Sequence, residues 1–464
     1  MPRILRAILL TVMYPMIACN LHDSLWHVRQ VTFAAQNHEL DHNENFSPDD
    51  VWLVYDTRPN PAGIQLNAKI EKVNVTTGET QVLYNFSSPS PYGPGVGAAS
   101  YHPFLNQIVF LHGLEDHNAA NPYAAHRRTG IIIDEANPEK HVYMDSRDVR
   151  KPYSPGALRG GTHRHQWSAD GNWIGFTYND AVMVDLEAKT GNKHDLRTVG
   201  VSKRLGPKVL VPQDGSAEQI QGEWFSAVLV RVVPNPSPGS DQISRAYEDW
   251  WIGKEGYRRP DGTWQRARAF MGDLIAADGS PITEVFVVDV PDAIDVPGEW
   301  GPLEGTDVEL PAPPAGALVR RITRTEDRKY PGVSTVPRHW LSSSFDGAFI
   351  SYLAKDERGV VQVYLVSPLG GEPIQATNQP DPVQTMVRWH PHERLFSYVC
   401  DNSLFLARVD EFGVVSEPVR ITERTEETPF AHCWSRSGDQ IAFNRYVNQG
   451  KESFIQIFVA ENVE

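Results

Sequence analysis

Trp167-Ser168-Ala169-Asp170-Gly171, followed at once by Trp173-Ile174-Gly175-Phe176, decides the fold. It reads as the end of one strand, a tight turn closed by Asp-Gly, and a return strand of β-branched and aromatic residues. The same phrase recurs as Phe46-Ser47-Pro48-Asp49-Asp50 before residues 51–55, and at 343–347 before 349–352. Weaker copies are Tyr101-His102-Pro103 before 108–110, Trp389-His390-Pro391 before 395–398, and 434–438 before 441–443. Further short strands follow each pair, such as 182–186 and 195–199 after the Trp167 copy. Four strands per unit, repeated every 45 to 66 residues, is the pattern of a β-propeller blade.

Six copies are visible, and the interval from Trp167 to Ser343 is too long for one blade. Gly222-Glu223-Trp224-Phe225 before 227–232 is read as opening a degenerate fourth blade, with a later strand at 284–290. That predicts an all-β, seven-bladed propeller of four-stranded antiparallel blades. Residues 28–33 precede the first copy and are expected to close the ring against the last blade, which leaves no free sheet edge. One propeller is expected over residues 24–464, with long insertions on the upper face, where the inner strands begin, at 112–126 and 234–269.

Composition agrees with this reading. The 464 residues include 35 Gly and 35 Pro, which suits many turns, and 41% hydrophobic residues, which excludes disorder. A formal net charge of −15 argues against a nucleic-acid partner, whose phosphates demand cationic surface. Arg3 and Arg6 ahead of the short apolar run 7–13 read as an export signal over residues 1–19. Met16-Ile17-Ala18-Cys19 resembles a bacterial lipobox; ordinary cleavage near Ala18 is the alternative. The protein is therefore expected to be secreted, periplasmic or an outer-membrane lipoprotein, touching membrane only through a lipid on Cys19, and monomeric. With Cys19 removed, Cys400 and Cys433 remain, too few for a disulfide scaffold.

Three constellations offer chemistry. His112 and His126 flank the first insertion, each placed by the blade pattern at the upper face; Tyr178 ends the second strand of the third blade, and Arg197 lies 19 residues on. Read singly, Tyr178 is a packing aromatic and Arg197 a surface charge. Together with the two His they supply a base, an acid and a cation, the groups that β-elimination at a uronate needs. The second insertion interleaves aromatics with Arg, including Tyr247, Trp250, Trp251, Trp264, Arg266 and Arg268, which suits stacking on sugars and pairing with carboxylate or sulfate. A packed hairpin capping the blade is an equal reading.

The third constellation is Thr162-His163-Arg164-His165-Gln166. Strand alternation puts His163 and His165 on one face and Arg164 on the other. Two His so placed are candidates for one divalent metal (zinc, calcium or manganese, structural rather than catalytic), with His432, His339 or His42 as the third ligand. Buried, hydrogen-bonded His is the commoner outcome.

The blade consensus resembles the TolB-like propellers. At Phe110-Leu111-His112-Gly113, His126-Arg127-Arg128-Thr129-Gly130, Gly160-Gly161-Thr162-His163, Phe176-Thr177-Tyr178-Asn179-Asp180 and Ile243-Ser244-Arg245-Ala246-Tyr247 the chain resembles the propeller polysaccharide lyases, the ulvan lyases in particular. It is also similar to a family of uncharacterised bacterial propeller proteins. The lyase resemblance implies a secreted lyase of an anionic, sulfated polysaccharide. It implies His roles at His112 and His126, a Tyr base and acid at Tyr178 and carboxylate neutralisation by Arg197; Tyr247 with Arg266 offers a second Tyr/Arg pair and His163 a competing His, and Tyr247, Arg266 and Arg127 are read as substrate-binding residues. Two rivals stand beside it. One is a non-catalytic TolB-like periplasmic binding propeller. The other is a metal hydrolase built on Asp41, Asn43 and Glu44.

Overall fold

A computed structural model describes residues 25–41, 44–60 and 63–462. The export signal, Cys19, His42 and Asn43 lie outside the described residues. Seven antiparallel sheets form the blades of a propeller, six of them four-stranded and one three-stranded. The three-stranded blade is the first, Trp52–Asp56, Lys69–Asn74 and Thr80–Asn85, whose inner segment makes, among the described residues, the isolated bridges Glu39 to Asp56 and Phe46 to Leu53. The ring closes as expected. His27–Gln30 pairs antiparallel with the C-terminal strand Glu452–Glu461, so the outer strand of the last blade comes from the start of the chain.

The repeated phrase has a direct physical role. Ser168 Oγ donates to Asp170 Oδ1 and accepts the Trp173 N–H at 3.1 Å, and Gly171 takes φ 71° to close the turn. Ser47 with Asp49 and Ser344 with Asp346 repeat the arrangement. Each turn also receives its neighbour: the His102 ring meets Trp167 edge-on at 4.6 Å, and His390 meets Trp434 at 4.9 Å. A Cβ on Gly171 would come within 2.3 Å of His102 Nε2, so this glycine is needed both for its backbone and for its bareness. The apolar core is divided into seven layers, one between each pair of neighbouring blades.

Three expectations are corrected. Residues 182–186 are not a strand but part of the α-helix Ala181–Thr190, begun by Asp180 capping the Met183 N–H and ended by Gly191 at φ 74°. Phe225–Val228 does not open the fourth blade; it is the outer strand of the third, paired with Thr198–Lys203. The fourth blade begins at Arg245–Trp251 and continues through Ala267–Ile275, Pro281–Asp289 and Val319–Arg321. The aromatic and arginine stretch is thus not one upper loop. Arg245–Trp251 is an inner strand, and residues 252–266, with the small hairpin Tyr257–Arg258 against Trp264–Gln265, turn back at the lower face.

Candidate functional site

The inner strands carry the feature that shapes the central channel. In blades two, three, four and seven their register against the second strand slips by one residue, between Gly97 and Ser100, His163 and Gln166, Tyr247 and Trp250, and Phe430 and Cys433. At each slip one residue takes a left-handed backbone: Ala98, Arg164, Glu248 and Ala431, with φ of 49° to 54°. Such bulges re-aim side chains. Arg164 is turned between Trp340 and Trp250, 4.2 Å and 5.0 Å from the ring centres, and Glu248 accepts from Arg338 Nε at 2.8 Å.

The bulge at Arg164 also separates the two histidines that alternation had placed together. His165 is fully buried, with Nε2 2.8 Å from Thr162 Oγ1 and its ring against Gly130 of blade two. His163 is half-buried, and its neighbours are cationic. Burial first, then the charges of Arg128, Arg197 and Arg338, push its imidazole well below its ordinary value, which keeps it neutral at pH 7. His432 and His339 are buried on other blades, bonding the Ser397 and Pro337 carbonyls, and His42 is outside the described residues. Among the described residues no three His, Cys, Asp or Glu side chains converge as a metal site, so these histidines do not fit a shared ion.

Around His163 the upper mouth of the channel gathers arginines from four blades. Arg128 begins the third strand of blade two, Arg197 precedes the third strand of blade three, Arg245 begins the inner strand of blade four, and Arg338 leads into blade five. They act on one another: burial, then Arg128 and Arg245, push Arg197 down to about 10, with Glu248 opposing. Three of the four lie over aromatic rings, Arg128 on Tyr123 at 4.7 Å, Arg245 on Tyr247 at 3.9 Å and Arg338 on Trp340 at 4.6 Å. Stacking fixes the guanidinium plane and leaves its edge for an in-plane acceptor. Among the described residues Arg128, Arg197 and Arg245 form no ion pair; only Arg338 does, with Glu248. The Arg128 Nε is buried and takes no hydrogen bond.

The remaining expected residues divide between mouth and scaffold. Arg197 and His126 are at the rim and linked, since Arg197 Nε donates to Asn179 Oδ1 at 3.0 Å, Asn179 Nδ2 donates to Asp195 at 2.8 Å, and Asp195 acts on His126. His112 and Tyr178 are not with them, and each is 0% exposed. His112 Nε2 meets the Tyr84 hydroxyl at 3.0 Å, in an aromatic layer with Phe86, and burial lowers it to about 4. The Tyr178 hydroxyl donates to Asp180 at 2.8 Å and accepts the Arg159 N–H at 3.1 Å, under an Arg159–Asp180 ion pair. Arg127 is held by Asp116 and Glu218. Tyr247 donates to Asp273 at 2.9 Å and presents its ring to Arg245. Arg266 is on the lower face, paired with Asp170 at 2.8 Å. Sequence reasoning did not assemble Tyr123, Arg128, Arg245 and Arg338 as one site; Arg128 and Arg245 stand without a role inside segments that carry the lyase resemblance, Tyr123 lies in the first insertion, and nothing local signalled Arg338. Cys400 and Cys433 are buried and free rather than paired.

Fold and site thus define a seven-bladed β-propeller with a cationic upper mouth. Residues 95–217 match a family described as "Protein of unknown function (DUF3748)". The chain is 37% identical over 422 residues to "Uncharacterized protein YidR" of Escherichia coli (strain K12), an alignment covering 90% of this chain and 92% of that one, and it belongs to the same family. Among solved structures, that of U3-55K is similar at TM-score 0.42 and 12% identity, over 94% of this chain and 98% of that one. A putative TolB from Agrobacterium tumefaciens is similar at TM-score 0.36 and 12% identity, over 86% and 99%. Likeness at these scores carries no argument about activity. The resemblance to ulvan lyases drawn from short motifs finds no support in these relatives.

Proposed function

We propose that the protein binds an anionic ligand at the upper mouth of its channel, of the class of uronate-bearing or sulfated saccharides. The observation that supports this is the gathering of Arg128, Arg197, Arg245 and Arg338 around a neutral His163 with one carboxylate, Glu248, bonded to the group. Like charges brought together repel, and a carboxylate or sulfate among them relieves that repulsion while accepting paired N–H bonds. The Tyr123, Tyr247 and Trp340 rings hold the guanidinium groups ready. The net charge of −15 does not oppose this, because screening over about 8 Å at physiological salt lets the local cluster dominate. The test is calorimetric titration with oligoglucuronate, a sulfated oligosaccharide and a neutral oligosaccharide of equal length. Only the anionic two are expected to bind, with affinity falling as salt rises, and Arg197→Gln weakening both by ~10-fold or more. Equal binding of the neutral sugar would refute the reading.

One observation favours a second reading, β-elimination at a uronate. His163 is neutral, half-buried and adjoins arginines. In this reading His163 takes the C5 proton, the arginines carry the charge that develops on the carboxylate, and the imidazolium so formed protonates the departing glycosidic oxygen. Substrate charge among the arginines also restores the basicity that they withdraw from His163. His112 and Tyr178, buried in packing, play no part. Ultraviolet absorbance of an unsaturated product tests it: formation on a polyuronate and loss in His163→Gln are expected, and silence across polyuronates removes it while leaving the binding reading intact.

A further inference from the structure

The lower end of the channel holds a second, separate feature. A cavity of about 160 Å³ opens there between the inner-strand ends and turns of the blades. Its charged lining is Arg388, Arg436, Lys254 and Glu44, and five tryptophans form much of its wall. Glu44 is the carboxylate of this lining, and it is shared: Arg388 Nη2 lies 3.3 Å from one of its oxygens and Arg436 Nη1 3.4 Å from the other. The Arg436 Nε is buried without a hydrogen bond. Lys254 stands exposed at the opening, its Nζ 3.1 Å from His392 Nδ1. Above them Arg164 adds another charge to the channel: its pKa is held down to about 9, by burial first and by Arg388 next.

Among the described residues three cations, Arg388, Arg436 and Lys254, therefore line a chamber whose one lining carboxylate is Glu44. Cations that outnumber the carboxylates of one lining repel one another, and a further anion among them relieves that repulsion. Chambers for drug-sized ligands run ~300–1,000 Å³, so this one suits a smaller molecule. We infer that the lower chamber is a second anion site, taking one small oxyanion, a carboxylate, phosphate or sulfate. It stands independently of the upper mouth, because it shares no residue with it.

Its tryptophan wall provides the readout. Arg388 lies 4.6 Å from the centre of the Trp250 ring, so an anion drawn to it changes the surroundings of an intrinsic fluorophore. The full chain is titrated with glucuronate, inorganic phosphate and sulfate, each against matched chloride, while tryptophan emission is followed. A saturable change is expected with at least one of the three, and which one responds distinguishes an organic from an inorganic source. Arg436→Gln is expected to abolish it, and Lys254→Gln, an exposed substitution that leaves packing untouched, to weaken it ~10-fold. Arg197→Gln, confined to the upper mouth, is expected to retain it, so loss of polysaccharide binding above and loss of this signal below are separable. No saturable change with any probe overturns the inference, as does a change that persists unaltered in Lys254→Gln. If Arg436→Gln fails to fold, the lysine variant decides alone.

Discussion

Tyr178→Phe separates a scaffold role from a catalytic one. The hydroxyl is wholly buried, donates to Asp180 at 2.8 Å and accepts the backbone N–H of Arg159 at 3.1 Å. Deleting it leaves that N–H without a partner in a place water does not reach, at ~1–3 kcal/mol, and removes a hydrogen bond to a carboxylate, worth ~1.5–3 kcal/mol. Asp180 keeps the Arg159 guanidinium at 2.8 Å and the Met183 N–H, so part of the second loss is recovered. The expected sum is about 3 kcal/mol. Urea unfolding of the variant should show its midpoint lowered at unchanged slope, with affinity for anionic saccharide at the mouth unchanged. Asp180→Asn should cost more, ~3–5 kcal/mol, because it strands a guanidinium that is 0% exposed. A Tyr178→Phe variant as stable as its parent, but unable to bind or turn over a uronate, would refute the scaffold assignment and return Tyr178 to the site.

Acid should destabilise the fold through its buried histidines. Burial holds His112 and His339 at about 4 and His165 and His432 at about 3, so the unfolded chain takes up these protons first, and stability present above pH 6.5 is lost as pH falls. At pH 5 each contributes a loss of ~2 kcal/mol, while Glu39 and Asp145, raised by burial to about 8 and about 6, return ~4 kcal/mol between them. Urea unfolding at pH 7 and 5 should therefore show a net loss of roughly 4 kcal/mol; equal or greater stability at pH 5 would contradict it. Gly171→Ala should cost ~2–3 kcal/mol by thermal or urea melts, from a strained left-handed backbone and a Cβ within 2.3 Å of His102. Arg266→Gln, on the lower face, should leave saccharide affinity unchanged and stability within ~1 kcal/mol, and a large affinity loss would put that arginine back among the substrate contacts.

The ring was legible because its turns are chemical rather than merely hydrophilic. Ser168 and Asp170 bond each other and the returning strand, and that pattern survives in the sequence wherever the geometry is kept. Blade four hid because its inner strand, Arg245–Trp251, leads into a longer lower hairpin in place of that turn. The helix Ala181–Thr190 carried its signals, Asp180 before it and Gly191 after it, but four strands per unit left it no room in the reading. The site was hidden for a different reason. Period-two alternation fails wherever a bulge inserts a residue, so Arg164 entered the channel and His165 left it. The four arginines come from four blades and meet only after the ring closes, which no local spacing records. The blade pattern puts Tyr178 and Arg197 at the ends of different strands on the same upper face, yet one faces the packing of the third blade and the other the open mouth.

The central claim, an anion seated among the upper arginines, is tested most directly by a crystal structure of the full chain grown with a short oligoglucuronate. Carboxylate density within hydrogen-bond reach of Arg197 and at least one of Arg128, Arg245 and Arg338 is the predicted result. A ligand bound elsewhere on the propeller, with this mouth filled only by solvent at saturating ligand, would contradict it.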